Sequence, residues 1–215
     1  MGYYSKSGKQ MSGIITPLFS KPIYFNNLNL DTKTILSLVQ DKARKSFNNS
    51  DNIYKERENE DLYLLDNKNL AFLKNIILNQ IRQFANNELK YLNEFKITTS
   101  WATEVNEGEN SQFHNHNNCF LSGVIYLKTE KNCGDIIFQD FNSRRMHLQV
   151  SEENVFNSKV WGYEVNEGDI VIFPSELWHM VETNKSKSVR NSIAFNVVPT
   201  GLIGDKTSDS HMHIK

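Results

Sequence analysis

The sequence contains no long apolar run, no excess of charge of either sign and only two cysteines among its 215 residues. Its longest apolar stretches, such as residues 170–173, are far shorter than the roughly 20 residues that cross a bilayer, so we expect no membrane segment. Residues 1–12 are polar and lack the apolar centre of a signal peptide. We therefore expect these residues to be disordered and the protein to be cytoplasmic.

Neither charge nor disulfides point to a specialised class of protein. The chain carries 24 Lys and Arg against 25 Asp and Glu, a formal net charge of -1. Proteins that bind nucleic acid usually show a basic patch, so nucleic acid is not an expected partner. Cys119 and Cys133 occur in a chain without an export signal, which favours free thiols over a disulfide.

The first half of the sequence has mainly helical periodicity. Two short segments that contain proline, 13–19 and 22–25, are predicted to be edge strands, where proline is tolerated. Asp31 can cap a helix within residues 30–47, whose apolar residues recur at helical spacing. Between residues 67 and 90 the apolar positions recur every three or four residues, which predicts a longer amphipathic helix.

The second half consists of short β-branched and aromatic runs separated by turn residues. The predicted strands are 95–105, 120–128, 135–138, 160–165, 168–173 and 190–198. Helices followed by strands at hairpin spacing indicate a mainly β fold with N-terminal α-helices, an antiparallel jelly roll or sandwich with the helices packed on one face. We predict one domain over 13–200, with helical support at 30–90, a barrel at 95–200 and a polar C-terminal tail at 201–215.

Three of the six histidines lie in or beside predicted strands. His114 and His116 are two residues apart, so on an extended strand their side chains point to the same side. His179 follows a compact apolar strand far downstream. Two ligands from one strand and a third from a distant strand can hold a metal at the mouth of a jelly-roll barrel. We therefore predict a metal centre here, although imidazole ligands suit Fe(II), Mn, Zn, Cu or Ni.

The last predicted strand has one polar face. By period two, that face carries Arg190, Ser192, Ala194 and Asn196, and the other carries Ile193, Phe195 and Val197. The apolar face should meet the helices. On the polar face, the guanidinium of Arg190 matches a carboxylate, and the Ser192 hydroxyl can bind the same group. A dicarboxylate anchored there could reach the metal with its other end; the alternative is that Arg190 forms a surface ion pair.

With these motifs the chain resembles the 2-oxoglutarate-Fe(II) oxygenases, specifically the prolyl-hydroxylase-like type of marine bacteria and phages. The similar segments are 17–19, 100–101, 113–116, 121–127, 168–174, residue 179 and 190–196. The resemblance implies a cupin-like double-stranded β-helix with Fe(II) and 2-oxoglutarate as cofactors. It implies His114 and His179 as metal ligands, and Arg190, aided by Ser192, as the site of the 2-oxoglutarate carboxylate. Tyr126 is either part of the same pocket or part of the core.

One position departs from the family pattern. Most 2-oxoglutarate oxygenases have a carboxylate two residues after the first histidine, where this chain has His116. Either the metal has three neutral ligands, or His116 lies behind the metal and water or another acid, such as Asp140, completes the site. Three neutral ligands would leave the centre more positive and favour anion binding.

The resemblance implies a dioxygenase that uses O2 to hydroxylate a substrate C–H bond while 2-oxoglutarate is converted to succinate. Gly108 lies six residues before His114, and Gly168 lies six residues before Pro174. These two spacings nearly match the two sequence motifs of the cupins. A cupin that is a 2-oxoglutarate-independent dioxygenase or isomerase is therefore the alternative. A third possibility is a metal-free jelly-roll binding module.

The substrate is left open between a small molecule and a protein side chain. Residues 141–159 are irregular, and a loop of this length over a barrel mouth is commonly a lid or substrate loop. The oligomeric state is also open, with a homodimer among the options.

Overall fold

The strands of the described chain form two β-sheets. The computed structural model describes residues 15–42, 44–45, 62–141, 146 and 148–215. In chain order the strands are β1 Tyr24–Asn27, β2 Arg44–Lys45, β3 Glu94–Val105, β4 Ser111–His114, β5 Leu121–Lys128, β6 Ile136–Gln139, β7 Val160–Tyr163, β8 Asp169–Pro174, β9 Trp178–Val181, β10 Arg190–Ile203 and β11 Met212–Ile214. The larger sheet has the order β1-β8-β5-β10-β3-β2, with β11 paired to β10, and the smaller has the order β4-β9-β6-β7.

Within the described residues, two α-helices precede the long β-strands, as the periodicity predicts. Helix α1 spans Thr32–Val39, and α2 spans Ala71–Arg82 and continues as the π-helical segment Gln83–Glu88. The Asp31 carboxylate accepts a hydrogen bond from the backbone N–H of Thr34 at 3.2 Å. This bond satisfies one of the amide groups that have no partner within the first turn of a helix.

The larger apolar core joins the helices to the larger sheet. Ile193, Phe195 and Val197 of β10 are buried in one cluster with Ile35 of α1 and Ile77 of α2. The predicted apolar face of β10 therefore meets the helices, which leaves its other face for the interior of the barrel. The mainly β jelly-roll fold with helices on one face is thus confirmed.

A second, smaller apolar cluster lies between the two sheets. It includes Phe138 of β6 and Phe173 of β8, whose rings are 5.0 Å apart in an edge-to-face arrangement. The ring of His179 lies 4.7 Å from that of Phe173. This cluster therefore provides an apolar environment for one of the predicted metal ligands.

Three segments differ from the predictions. Residues 15–19 form no strand, because Pro17 lacks an N–H group and Phe19 has a positive φ of 58° in a turn. Helix α1 is shorter than 30–47, because its apolar spacing ends at Val39 and the chain then enters a 3-10 turn and pairs with β3. The segment 201–215 is more than a polar tail, since β10 runs into it and β11 pairs back onto β10.

Other predictions concern segments with less regular structure. The predicted disorder of residues 1–12 lies outside the described residues. The described part of 141–159 contains neither helix nor strand, and its role as a lid stays a prediction, as does the single domain over 13–200. Cys119 and Cys133 are free thiols, as predicted. None of the helices in the described ranges is long and apolar enough to cross a membrane.

Gly123 of β5 packs so closely against Phe195 and the Val171 backbone that a larger residue would be strained there. A Cβ atom there would lie 2.3 Å from Phe195 Cζ and 2.9 Å from the Val171 carbonyl oxygen. Phe195 is fully buried, so its ring has little room to move away. We expect Gly123→Ala to lower the free energy of unfolding by about 1–3 kcal/mol, measured by urea denaturation. Adding Phe195→Leu should make the Gly123→Ala change less costly; equal penalties in both backgrounds would contradict this explanation.

Candidate metal centre

Strand pairing in the smaller sheet brings two of the three predicted histidines together. His114 ends β4 and His179 lies in β9, and the two residues are direct partners across the β4–β9 ladder. His116 lies two residues beyond the end of β4, so it does not share an extended strand with His114 as we predicted. It is held instead by its backbone N–H, which donates to the Ser175 carbonyl at 3.0 Å.

The three imidazoles form one cluster. Each offers one ligand atom, and these atoms all lie within 4.8 Å of one another. The ring centroids of His114 and His179 are 4.3 Å apart, and that of His116 lies 5.2 Å from His114 and 5.1 Å from His179. Within the described residues this is the only such group of His, Cys, Asp or Glu, so Asp140 is not part of it.

The hydrogen bonds of the three rings suit metal coordination. Nδ1 of His114 lies 2.8 Å from the Gln112 carbonyl oxygen, and Nδ1 of His179 lies 2.9 Å from the Leu177 carbonyl oxygen. Nδ1 of His116 lies 2.6 Å from Asn196 Oδ1. A neutral imidazole that donates through Nδ1 keeps a lone pair on Nε2. The donor set therefore fits a divalent transition metal, for which imidazole nitrogen is a common ligand.

Burial keeps the inner part of the cluster uncharged. It lowers the pKa of His179 to about 3, with a smaller contribution from the nearby His114. Burial also lowers the pKa of His116, and the hydrogen bond with Asn196 opposes this effect. Both imidazoles are therefore neutral at pH 7, which is the form that binds metal.

Arg190 and Tyr126 form a second buried polar group. Arg190 is 2% exposed, so the alternative of a surface ion pair is wrong. Its guanidinium carbon lies 4.8 Å from the centre of the Tyr126 ring. Arg190 Nε and the Tyr126 hydroxyl are both buried without a hydrogen-bond partner among the described residues. A buried cation beside an unpaired hydroxyl is costly unless an anion binds them.

Ser192 lies between these groups and the neighbouring strand. It is buried and pairs with Tyr126 on β5 and with Thr103 on β3. Its hydroxyl is 2.6 Å from the Thr103 hydroxyl. Ser192 is therefore next to Tyr126, and its hydroxyl already has one partner.

The sequence alone gives no role to two side chains that contact the His116 ring, those of Asn196 and Trp101. The alternation along the last strand places Asn196 on its polar face without a role, and no pattern in the sequence places Trp101 beside His116. In the structure the Trp101 ring stacks on His116 with a centroid distance of 5.9 Å. The period-two pattern from Arg190 was the only signal for Asn196, because its contacts come from other strands.

The segment that contains these groups matches a known family. Residues 99–196 match the family model described as "Putative 2OG-Fe(II) oxygenase". This part of the chain, slightly less than half of its length, is similar to the 2OG-Fe(II) oxygenase family. The predicted cofactors, Fe(II) and 2-oxoglutarate, are thereby confirmed at the level of the family. The family match also favours the oxygenase over the 2-oxoglutarate-independent cupin and the metal-free binding module.

Solved structures share the fold at low sequence identity. A prolyl hydroxylase from Trichoplax adhaerens, in complex with a hypoxia inducible factor oxygen degradation domain peptide fragment, is 14% identical with a TM-score of 0.55, covering 82% of this chain and 83% of that chain. HygX from Streptomyces hygroscopicus, with nickel, 2-oxoglutarate and hygromycin B bound, is 11% identical with a TM-score of 0.55, covering 84% of each chain. These similarities support the jelly-roll fold.

The match to a solved structure from the 2OG-Fe(II) oxygenase family is only partial. For an oxidoreductase of that family from Burkholderia pseudomallei, the similarity covers 58% of this chain and 55% of that chain, with 14% identity and a TM-score of 0.44. The chain thus spans about half the length of that protein. No curated protein sequence matches the chain.

Proposed function

We propose that this 2OG-Fe(II) oxygenase hydroxylates a C–H bond of its substrate, with His114, His116 and His179 as the iron ligands. The observation that carries the proposal is the cluster of three imidazoles, whose Nδ1 atoms are all hydrogen-bonded and whose ligand atoms lie within 4.8 Å of one another. Neutral imidazoles suit Fe(II), and a site with open positions is typical of non-haem iron oxygenases.

We assign the 2-oxoglutarate carboxylate to the buried pair of Arg190 and Tyr126. The guanidinium supplies the positive charge, and the phenol supplies a neutral hydrogen-bond donor. Both have an atom without a partner among the described residues, so a carboxylate would satisfy them together. Ser192 lines the same position, with its hydroxyl oriented by Thr103.

Fe(II) and 2-oxoglutarate, when bound, supply the oxidative chemistry in which O2 converts the keto acid to succinate and CO2 and oxidises a substrate C–H bond. The protein orients the histidine rings and provides an apolar environment around His179. Phe138 and Phe173 surround His179 with apolar rings and exclude water from that side of the site. The backbone carbonyls of Gln112 and Leu177 orient the rings of His114 and His179.

The substrate remains either a small molecule or a protein side chain, with O2 as co-substrate. The two structural relatives support both classes, since one is a prolyl hydroxylase in complex with a peptide and the other binds hygromycin B. Residues 141–159 are the candidate substrate loop, and Phe141 at its start contacts Trp178 of β9 with a ring distance of 5.1 Å. Trp178 adjoins His179 in sequence, so this loop starts close to the metal centre.

An anaerobic titration tests the proposal directly. Adding Fe(II) and then 2-oxoglutarate to the metal-free protein should produce a metal-to-ligand charge-transfer band. Admitting O2 should then convert 2-oxoglutarate to succinate. The proposal fails if Fe(II) binds without any band on addition of 2-oxoglutarate, which would favour the cupin-type alternative. It also fails if no metal binds.

Removal of the Tyr126 hydroxyl should weaken 2-oxoglutarate binding. Burial raises the pKa of Tyr126 to about 12, so the phenol stays protonated and remains a donor across the working pH range. We expect Tyr126→Phe to lower 2-oxoglutarate affinity about 10-fold or more, because a hydrogen bond to a charged group contributes about 1.5–3 kcal/mol.

The pH dependence provides the control for this assignment. The factor lost in Tyr126→Phe should be the same at pH 7 and pH 9, measured from the charge-transfer band. Protein stability should follow the same group. Because folding raises the pKa of Tyr126, its contribution to the free energy of unfolding is fully present below the ordinary pKa of 10.0 and is lost as the pH rises toward 12. An affinity that is unchanged in Tyr126→Phe would remove Tyr126 from the site.

A further inference from the structure

The Nδ1 atoms of the three histidines have different kinds of hydrogen-bond partner. The partners of His114 and His179 are backbone carbonyl oxygens, which can only accept a hydrogen bond. Both rings must therefore carry a proton on Nδ1 when neutral. The partner of His116 is the carboxamide of Asn196, which can accept through Oδ1 or donate through Nδ2. The tautomer of His116 therefore depends on which way that amide points.

Neighbouring side chains hold the Asn196 amide. Its Nδ2 group donates to the Thr99 hydroxyl oxygen at 3.0 Å, and its Oδ1 atom accepts from the Ser122 hydroxyl at 2.9 Å. Ser122 and Thr99 are the direct strand partners of Asn196 on β5 and β3. The Ser122 hydroxyl also lies 2.9 Å from that of Ser175, whose carbonyl accepts from the His116 backbone N–H.

We infer that Asn196 is a positioning residue that makes His116 a metal ligand by holding it in the Nδ1–H tautomer. The inference rests on the proposed function, in which His116 is the third ligand. With Oδ1 toward His116, the ring donates through Nδ1 and leaves the Nε2 lone pair for the metal. With the amide reversed, Nδ2 would donate to Nδ1, and Nε2 would carry a proton and could not bind the metal.

Asn196 also keeps the third ligand uncharged. A carboxylate in its place would add a negative charge next to the imidazole and raise its basicity, as in carboxylate–histidine–metal arrangements. The amide gives the same orientation without that charge. The centre thus keeps the full charge of the metal for binding the anionic keto acid.

The tautomer of His116 can be measured without metal. In the metal-free protein labelled with ¹⁵N-histidine at pH 8, long-range ¹H–¹⁵N spectra should show His114, His116 and His179 protonated at Nδ1. In Asn196→Leu, which has a similar volume but no polar group, His116 should lose this preference while the other two histidines keep it. Asn196→Asp, which can only accept, should restore the Nδ1–H form.

Metal affinity provides the second measurement. Co(II) binding, followed by its visible absorption, should weaken about 10- to 100-fold in Asn196→Leu, as is typical when an outer partner of a ligand is lost. Asn196→Asp should bind at least as well as Asn196 itself. Asn93→Leu is the matched control, because its amide bonds the far end of β10 at the Thr200 and Leu202 carbonyls and should leave affinity unchanged.

The two hypotheses fail in different ways. If the unmodified protein binds no Co(II), the proposed function fails. If it binds Co(II) but Asn196→Leu keeps both the Nδ1–H form of His116 and the original affinity, the function stands and the role of Asn196 is wrong. Thermal unfolding of the metal-free Asn196→Leu protein distinguishes either result from a loss of fold.

Discussion

Replacing His179 by alanine is expected to abolish Fe(II) binding. His179 is 6% exposed, pairs directly with His114 and is the most deeply buried of the three histidines. Its loss leaves two imidazoles on one short segment, without the ligand from the opposite strand. The decrease in affinity should exceed the roughly 10- to 100-fold cost of losing an outer partner, measured by anaerobic Fe(II) titration.

A second variant and a control make this result interpretable. His179→Gln preserves more of the volume next to Phe173 and tests whether the alanine variant fails only because a cavity forms. His211→Ala removes an exposed histidine whose Nδ1 contacts the Ser208 carbonyl in the C-terminal segment, and it should bind Fe(II) normally. Fe(II) affinity that is unchanged in folded His179→Ala would exclude this metal centre.

Arg190→Met should remove most of the affinity for 2-oxoglutarate and spare the metal. The guanidinium of Arg190 is 2% exposed, and its Nε atom and the nearby Tyr126 hydroxyl have no hydrogen-bond partner among the described residues, so a carboxylate is the expected partner. Truncating one partner of a buried charge pair costs about 2–5 kcal/mol, which corresponds to about 30- to 5,000-fold in affinity. The charge-transfer band should therefore require far more 2-oxoglutarate, while Fe(II) affinity should stay the same.

Stability distinguishes a binding role for Arg190 from a structural one. The described residues offer Arg190 no ion pair, so its burial should cost stability in the absence of an anion. Without 2-oxoglutarate, Arg190→Met should be as stable as the original protein or more stable. Arg82→Met on the exposed surface of α2 is the control and should affect neither property. An Arg190→Met protein that turned over 2-oxoglutarate normally would contradict the assignment.

His116 replaces the carboxylate that most 2-oxoglutarate oxygenases carry at this position. In the proposed site, with three neutral ligands, the two charges of Fe(II) would be balanced by the bound keto acid and not by the protein. This arrangement makes the binding of 2-oxoglutarate more dependent on electrostatic attraction, both at the metal and at Arg190. It also explains the role inferred for Asn196, because a neutral imidazole must have the correct tautomer to bind a metal, whereas a carboxylate has no such requirement.

The pattern of residues along the chain predicted the long helix, the longer strands and most of the candidate residues. Helical periodicity located α2, and the alternation along β10 separated Ile193 and Phe195 on one face from Arg190 and Asn196 on the other. These predictions succeed because they depend on local geometry, which repeats every 3.6 residues in a helix and every two in a strand. The spacing of the histidines likewise indicated a metal site.

Only the tertiary structure decided how these residues meet. The pairing of β4 with β9 places His114 opposite His179, and the register of β3 and β5 around β10 places Thr99 and Ser122 on either side of Asn196. Such contacts join residues far apart in the chain, and their register is set by which faces of all the strands are buried together. The sequence could therefore name the imidazoles, but only the folded sheets bring them together and give each ring its hydrogen-bond partner.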